Sequence, residues 1–550
     1  MALGAIAITL MAMAPLAAVN SAIRRMAARV ISPLILRRLN LALIALTLTT
    51  MGFSKKILNS SYATELAIAD APSEAVPFSF MVMGDTDAGD ARNQSLKAAK
   101  SLGKNFSESF AQQIMQQSEE SSFLLHTGDV VYPIGSYQNY LNGFLKPYRA
   151  LLSELPASAD YDSSAIVFNR ALLPVPGNHD YADVSGLARW RDGILRAVCD
   201  RLRQSLNLDL GHYGGYGGEA YAQTFLDDLT DLPTDRLAAH LAMYYSAVTS
   251  DAVTNDSAVT NDAQGTNDIQ DNSLSAQRSP NYCLNYRPGQ FTRLPNRYYH
   301  FRYSGVDFFA LDSNTWKTSA EAADFDSDQL NWLVQQLVAS WHRPNTVGRI
   351  IYLHHSPYTT EESRWQQAET LWVRRHLRRV LARVAAAVNR PDPENSPWVD
   401  LIFSGHAHCF EHLHTADTGY ADAHLNWVVC GGSGANLRRQ RRVDSDDILE
   451  NMEASGSSGR RYPKVVARSQ CFIGRHGQGR KNQCFHSFIR VDVRPQQRQK
   501  FTVVPFAVTP SKTGLFTSAI APLKTSNPCQ AELLSIQQTA MNRAIDRGIP

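Results

Sequence analysis

Cysteine is scarce in this chain and follows no ligand spacing. Seven cysteines occur among 550 residues, and none of them forms a CxxC pair, which argues against a structural zinc site. Their number is odd, so at least one thiol lies outside any disulfide within the chain or pairs with another chain. Cys471 and Cys484 flank a short basic, glycine-rich segment. They are the pair expected to form a disulfide if the protein is exported.

A strong charge of either sign is also missing. The formal net charge is +3 over 550 residues, and so small an excess predicts no specific nucleic-acid partner. Hydrophobic residues make up 44% of the chain and charged residues 19%, a composition that can bury a large core. The length exceeds one average domain, but a single elaborated α/β domain with insertions also accounts for it.

Long uncharged stretches are confined to the amino-terminal region. Residues 1–23 carry no charge and approach the length of a membrane span. A second uncharged run, Leu39–Phe53, follows several arginines and has the length of a signal-peptide core. One interpretation makes Met26 the true start and 26–63 a signal peptide; the rivals are an uncleaved anchor and two membrane-inserted segments. We therefore expect 1–70 to be a signal peptide or membrane anchor, and the protein to be periplasmic, secreted or membrane-anchored.

Apolar runs of strand length recur from Phe78 onward, and each ends in a polar turn. Segments with helical apolar spacing lie between several of them, at about 92–117, 326–341 and 364–389. This alternation predicts an α/β domain with a largely buried central sheet, which we place at 71–530 with a tail at 531–550. The apolar runs are 78–85, 123–129, 171–180, 307–314, 349–357, 400–408 and 425–434.

Two insertions interrupt the alternation, at 183–300 and 435–484. The first contains a polar tract, 246–277, without lysine, arginine or aromatic residues, and we expect a flexible surface loop there. The second opens with the basic run Arg438–Arg442. That run is interpreted either as a solvated face or as a cationic rim that draws anionic substrates towards a site.

Carboxylate, amide and imidazole side chains stand at the carboxyl ends of the apolar runs. In open α/β sheets these ends meet at one edge, so we expect the side chains to converge there. Their ligand chemistry suits first-row ions such as Fe, Zn and Mn. Two such ions about 3.5–4 Å apart require one bridging ligand, which an aspartate can supply. The residues concerned are Asp85, Asp129, Asn178, His355, His406 and His408.

Five short motifs in a fixed order carry a family resemblance. They are "GD" at 84–85, "GDVVY" at 128–132, "PGNHDY" at 176–181, "YLHHSPY" at 352–358 and "FSGHAHC" at 403–409. The set resembles the calcineurin-like metallophosphoesterase superfamily. Tyr132, three residues after Asp129, is closer still to the purple acid phosphatase branch. The resemblance covers about 78–183 and 298–434.

The resemblance implies a fold and a set of metal ligands. The fold would be an α/β (α+β-like) sandwich of mixed sheets flanked by helices, with the active site at the carboxyl ends of strands and two large insertions. Asp129 would bridge two metal ions. The tyrosine-bearing site would favour iron, and the other would take Zn, Mn or Fe. The implied ligands are Asp85, Tyr132 and His408 for one ion and Asn178, His355 and His406 for the other.

The resemblance also implies an activity, that of a dinuclear-metal phosphoric ester hydrolase. We expect an exported, acid-phosphatase-like phosphomonoesterase that uses a metal-bound hydroxide, with His179 contacting the substrate phosphate or protonating the leaving group. The substrate would be a phosphorylated small molecule or nucleotide, and the membrane would be a partner through the amino-terminal segment. The alternatives are a phosphodiesterase or nucleotidase on the same scaffold, and an inactive metal-binding relative.

Some positions depart from the family pattern. Asp87 stands where relatives have histidine or glycine; it is interpreted as a carboxylate ligand, as a partner of the ligands or as a turn residue, and we favour the last two together. His354 and His355 both end the same apolar run, and the His-x-Pro spacing with Pro357 selects His355. Glu411 has no assigned role.

Overall fold

The computed structural model describes eleven segments, and they belong to one compact unit. Residues 1–62 of the expected leader, most of the polar tract and the tail from 531 lie outside the described residues, so those predictions stay predictions, whereas Glu65–Ile68, near the end of that leader, forms a strand. Within the described part of the chain, no helix is both long and apolar enough to cross a membrane. The described segments are 63–87, 106–157, 166–181, 218–229, 232–247, 282–389, 397–442, 446–453, 461–476, 483–511 and 514–523.

The described residues form nineteen strands and five helices of seven residues or more. The strands are β1 Glu65–Ile68, β2 Phe78–Met83, β3 Phe123–His126, β4 Ala171–Pro174, β5 Tyr245–Ala247, β6 Tyr282–Tyr286, β7 Tyr299–Tyr303, β8 Val306–Ala310, β9 Gly348–Leu353, β10 Leu401–Ser404, β11 Phe410–Thr415, β12 Asn426–Cys430, β13 Asp447–Glu453, β14 Arg461–Ile473, β15 Arg475–His476, β16 Gln483–Cys484, β17 His486–Val493, β18 Phe501–Ser511 and β19 Gly514–Ala519. The helices are α1 Phe106–Gln117, α2 Glu219–Phe225, α3 Thr234–Tyr244, α4 Ser327–His342 and α5 Ala368–Val388. Short helical turns lie at Tyr137–Asn139, Tyr140–Leu145, Arg149–Leu151 and Ser313–Trp316.

Two large mixed sheets form the framework. One has eleven strands in the order β13-β14-β11-β12-β10-β9-β8-β7-β1-β6-β5, and the other has six in the order β19-β18-β17-β2-β3-β4. Strands β8, β9, β10 and β12 are mutually parallel in the first sheet, as are β2, β3 and β4 in the second. Each sheet thus has a parallel block in which the carboxyl ends of neighbouring strands lie at one edge.

The parallel strands are mostly apolar because both of their faces are covered. In β9, Ile350 and Tyr352 belong to the core between the two sheets, whereas Ile351 and Leu353 belong to a second core on the other face. Side chains of a strand alternate between faces, so a strand covered on both sides reads as a continuous apolar run. This explains why "RIIYL" shows no polar alternation.

Aromatic rings fill the space between the sheets. Phe80 of the six-stranded sheet meets Phe308 of the eleven-stranded sheet edge-on, with ring centroids 5.4 Å apart. Phe123 meets Phe301 in the same way at 5.6 Å. Such edge-to-face pairs add about 0.5–1.5 kcal/mol each to the area they bury. The two sheets are therefore joined by a packed core.

Helices α4 and α5 cover the outer face of the eleven-stranded sheet. Leu333 and Leu337 of α4 and Val373 and Leu377 of α5 lie in the second core at 0% exposure. Their spacing of four residues places each pair on one helix face. The predicted helices at 326–341 and 364–389 are close to the observed bounds, and Asp326 caps α4 by accepting a hydrogen bond from the Gln329 amide at 2.9 Å.

The second insertion contributes strands to the larger sheet. Its β13 and β14 pair with each other, and β14 pairs with β11 next to the core strands. The short hairpin β15–β16 places Arg475 opposite Cys484. The Cys471–Cys484 disulfide stays a prediction.

Candidate metal centre

The polar side chains meet where the parallel strands of both sheets end. Asp85, Asp129 and Asn178 follow β2, β3 and β4 in the smaller sheet, and His354 and His406 follow β9 and β10 in the larger one. The sandwich brings these two edges together, and contacts between residues more than 300 positions apart show this. The His406 amide, for example, donates to Asp85 Oδ2 at 3.0 Å.

Three of the predicted ligands surround the hydroxyl group of a fourth, Tyr132. That oxygen lies 2.7 Å from Asp85 Oδ1, 2.8 Å from Asp129 Oδ2 and 3.1 Å from His408 Nε2. His408 Nε2 is also 3.5 Å from Asp85 Oδ1. The structure thus places together the four donor atoms that the resemblance assigns to one ion.

A second group of donor atoms lies on the other side of Asp129. His354 Nε2 is 3.0 Å from Asn178 Oδ1, 3.2 Å from His406 Nδ1 and 3.5 Å from Asp129 Oδ1. Asp129 therefore directs Oδ2 towards the first group and Oδ1 towards the second. This is the geometry that a bridging carboxylate requires.

His354, rather than His355, occupies the position facing Asn178. His355 Nδ1 instead pairs with the Ser313 hydroxyl at 2.9 Å, and its Nε2 lies 3.9 Å from Glu369 Oε2. Among the described residues its Nε2 is buried without a hydrogen-bond partner. The sequence-based choice of His355 stays a prediction that this geometry does not favour. The spacing to proline selected His355 by pattern alone, and that pattern does not show which of the two rings after β9 faces Asn178.

Two of the inward-facing histidines are fixed by backbone carbonyls. His354 Nδ1 lies 3.0 Å from the Thr127 carbonyl oxygen, and His408 Nδ1 lies 2.9 Å from that of Asn436. A carbonyl only accepts, so Nδ1 carries the hydrogen in both rings. The Nε2 lone pair of each ring is then directed into the centre, as metal ligation requires.

Burial keeps the imidazoles neutral. His354 and His406 are 0% and 2% exposed, and burial lowers the pKa of both, with Arg364 lowering that of His406 further. Burial and then Arg438 lower the pKa of His408 to about 3. A neutral ring retains a lone pair for a cation, so the lowered pKa values favour metal ligation.

Asp85 and Tyr132, whose neutral forms are the protonated ones, have raised pKa values instead. Burial, and then the charge of Asp129, raise the pKa of the Asp85 carboxyl well above its usual range. Burial and both carboxylates raise the pKa of Tyr132 in the same way. Two buried acids side by side repel each other, and a cation between them removes that repulsion. The residues present therefore fit a pair of metal ions.

Three of the site residues have left-handed backbone conformations. The φ values are 55° at Asp85, 50° at Asp129 and 66° at His406. Residues other than glycine adopt this region at a cost of about 1–3 kcal/mol, and aspartate and histidine are among the residue types most often found there. The turns after these strands are thus bent in a way that aims the side chains at the centre.

Gly128 and Gly177 allow the backbone to approach the ligands. Gly128 has φ +91°, and a Cβ there would lie 2.8 Å from both the Gly177 nitrogen and His354 Nδ1. A Cβ at Gly177 would lie 2.1 Å from Asp129 Oδ1. Gly128 of the "GDVVY" motif is therefore required by space and by conformation, and Gly177 of the "PGNHDY" motif by space.

His179 lies beside the centre without joining either donor group. Its amide donates to Asp129 Oδ1 at 2.8 Å, and its Nδ1 lies 2.7 Å from the Pro133 carbonyl oxygen. Nδ1 therefore carries the hydrogen of the neutral ring, and the lone pair belongs to Nε2. The ring stacks at a tilt against Tyr132, with centroids 4.4 Å apart, and it is half-buried.

Asp87 and Asp180 support the ligand loops. Asp87 Oδ2 accepts from the Tyr132 amide at 3.1 Å, which agrees with its interpretation as a turn residue and ligand partner. Asp180 accepts from the amides of Val130 and Gly177 at 3.1 and 2.9 Å. Sequence reasoning gave Asp180 no role, although it follows the histidine of the "GNHD" motif directly.

Three further residues near the centre were missed by sequence reasoning. Gln367 Oε1 lies 3.0 Å from His406 Nε2 and accepts from Arg364 Nη1 at 3.1 Å. The Gln367 amide nitrogen donates to Glu369 Oε2 at 3.0 Å. These residues precede or begin α5 and match no motif. Glu411, previously unassigned, is a buried acceptor for Thr360 and Thr359.

Comparisons with known proteins find only distant structural likenesses. No family model and no curated protein matches the chain. Among solved structures it is similar to the purple acid phosphatase PPD1 from seeds of yellow lupin, Lupinus luteus (13% identity, TM-score 0.38, covering 82% of this chain and 55% of that one). It is also similar to PhoD (11%, 0.38, 87% and 80%) and to GAP50, described as the anchor in the inner membrane complex of Plasmodium (13%, 0.34, 82% and 90%).

The predicted fold class is confirmed at the level of architecture. The mixed sheets form a sandwich flanked by helices, and the candidate centre lies at the carboxyl ends of strands, as expected from the sequence. The chain spans about half, 55%, of the lupin protein's length. At these identities and TM-scores the likeness carries no argument for function, which depends on the geometry of the centre.

Proposed function

We propose that this protein is a dinuclear-metal phosphoric ester hydrolase, most simply an exported, acid-phosphatase-like phosphomonoesterase. One observation carries the proposal. Two groups of four donor atoms share Asp129, which turns one carboxylate oxygen to each group. The first group holds Asp85, Tyr132 and His408, and the second holds Asn178, His354 and His406. Bound ions would supply Lewis acidity for water activation and would offset the charge of the phosphoryl oxygens.

The side chains around the ions would bind and protonate the substrate. When the ring is protonated, His179 Nε2 would donate its proton to the leaving oxygen or attract the phosphate, because the Nδ1 hydrogen is already committed to Pro133. Arg364 and Arg438 place positive charge beside the ligands, since both lower the pKa of His408. Positive charge at this rim attracts anionic substrates.

Iron is proposed for the Tyr132 site on chemical grounds. A phenolate is a hard, charged oxygen donor, and a trivalent cation stabilises it more than a divalent one does. The second site, with imidazole and amide donors, suits Zn, Mn or Fe. An iron–tyrosinate pair would colour the purified protein, whereas a colourless active enzyme would show that the tyrosine-bearing site holds another ion.

Hydrolysis assays test the activity and its ester preference. The protein, reconstituted with Fe, Zn or Mn, is assayed on an aryl phosphate monoester and on the matching diester. Faster turnover of the monoester supports the proposal; faster turnover of the diester would favour the phosphodiesterase or nucleotidase alternative. Failure to hydrolyse either ester with both metal sites filled would favour an inactive metal-binding relative.

A further inference from the structure

The two donor groups contain three inner histidines, His354, His406 and His408, and one of them is held differently from the other two. The outer nitrogen of each ring is the one that points away from the donor group. The outer nitrogens of His354 and His408 meet backbone carbonyls. The outer nitrogen of His406, Nε2, meets the side-chain oxygen of Gln367 at 3.0 Å instead. Glu369 Oε2, the nearest carboxylate, is 3.9 Å from the same nitrogen and therefore too far away to be its hydrogen-bond acceptor.

The orientation of the Gln367 amide is determined by its charged neighbours. Arg364 has only donors, and its Nη1 lies 3.1 Å from Gln367 Oε1. An ionised Glu369 has only acceptors, and its Oε2 lies 3.0 Å from the Gln367 amide nitrogen. If the Gln367 amide were flipped, its NH₂ group would face the donor groups of Arg364 and its oxygen would face the carboxylate of Glu369, and both contacts would be repulsive. The oxygen of Gln367 must therefore face His406.

An oxygen in that position fixes the tautomer of His406. The amide oxygen only accepts, so Nε2 carries the hydrogen and the lone pair belongs to Nδ1. Nδ1 is the nitrogen that faces His354 Nε2 at 3.2 Å inside the second donor group. The opposite tautomer would turn an N–H towards the ion position.

We propose that Gln367 is a positioning residue for the second metal site, held in register by Arg364 and Glu369. It fixes His406 with the Nδ1 lone pair directed at the ion, the task that main-chain carbonyls perform for the other two histidines. The inference rests on the proposed dinuclear site. It assigns a role in metal binding to the "RWQQAE" stretch at 364–369, which no motif marked.

Metal titrations of four full-length proteins test the proposal. Dissociation constants for Zn²⁺ are measured by competition with a chromogenic chelator, and thermal unfolding of each protein monitors its folding. Gln367→Met should raise the dissociation constant of one of the two ions by about 10–100-fold, the usual effect of removing the hydrogen-bond partner of a metal ligand. The matched control is Gln366→Met, the same change at the exposed neighbouring position, and it should leave both constants unchanged.

A rescue variant separates positioning from general packing. The double change Gln367→Glu with Glu369→Gln exchanges amide and carboxylate, so it conserves net charge and restores an acceptor for His406 Nε2. Its dissociation constants for both ions should return to within about 3-fold of the wild-type values. That difference is smaller than the increase expected for Gln367→Met.

The outcomes distinguish this inference from the proposed function. A wild-type protein that binds no ion would overturn both. A wild-type protein that binds two ions, together with a folded Gln367→Met variant that binds both as tightly, would overturn the positioning role alone. So would a folded double variant that binds as weakly as Gln367→Met.

Discussion

At the scale of single residues, the centre is defined by which nitrogen or oxygen each side chain presents. Asp129 presents one oxygen to each donor group, and each inner histidine presents a lone pair because its other nitrogen meets an acceptor. The type of residue alone does not determine whether its nitrogen or oxygen points into the centre. His354 and His355 are chemically the same, yet only His354 has its nitrogen among the donors of the second group.

A pair of alanine variants tests this distinction. His354→Ala removes a nitrogen 3.0 Å from Asn178 Oδ1, so we expect it to lose the second ion and nearly all activity. His355→Ala should retain two ions, because that ring faces Ser313. Metal content is measured by mass spectrometry of the purified proteins. Loss of an ion from the His355 variant alone would restore the assignment made from the sequence.

His179 should affect turnover rather than metal content. His179→Ala removes the proton donor but keeps the amide that donates to Asp129, so we expect both ions to remain and kcat to fall by about 10²–10⁴-fold. Steady-state kinetics and metal analysis on the same sample provide the measurement. A variant that loses both ions would contradict the role given to this ring.

At the scale of elements, the turns after the strands determine the geometry of the site. Asp85, Asp129 and His406 all occupy left-handed conformations at strand ends, and glycines beside them admit the neighbouring backbone. These turns were visible in the sequence as glycine followed by a ligand. Their conformations follow from the requirement that two strands from different sheets aim their side chains at the same point.

Gly128→Ala tests the requirement for space. A methyl group would meet the Gly177 nitrogen and His354 Nδ1 at 2.8 Å, at a φ of +91°. We expect the free energy of unfolding to fall by about 1–3 kcal/mol, the cost of strain at such a position. We also expect the second ion to bind less tightly. Chemical denaturation gives the first quantity and chelator competition the second. A variant with wild-type stability would show that the turn relaxes freely.

The sequence predicted the elements better than their arrangement. The seven apolar runs became strands, because fully buried parallel strands are apolar on both faces. The order of the strands and the pairing of β14 with β11 could not be predicted, since they depend on long-range packing. Gln367 was missed for a similar reason: a neutral amide before a helix has no signature until the fold places it against His406.

At the scale of the whole molecule, the centre lies between the edges of two sheets that are joined by one aromatic core. Ion binding should therefore couple to the stability of the sandwich. Asp85 and Asp129 are buried side by side, and without a cation their repulsion opposes folding. An ion that binds only the folded state adds about 2.7 kcal/mol at a concentration 100-fold above its Kd.

Chelation should accordingly lower the melting temperature. We expect Tm to fall when the metal-loaded protein is dialysed against a chelator and to recover on re-addition of the ion, because the acid pair loses its compensating charge. Differential scanning calorimetry before and after dialysis measures the change. An unchanged Tm, with metal analysis showing that the ions had left, would contradict the coupling.

The number of ions per chain tests the central claim most directly. Wild-type protein reconstituted with Fe, Zn or Mn should hold about two ions per chain, and Asp129→Ala, which removes the oxygen shared by both donor groups, should hold almost none. If wild type holds none under any of these conditions, or if Asp129→Ala holds as many as wild type, the two donor groups are not a metal centre.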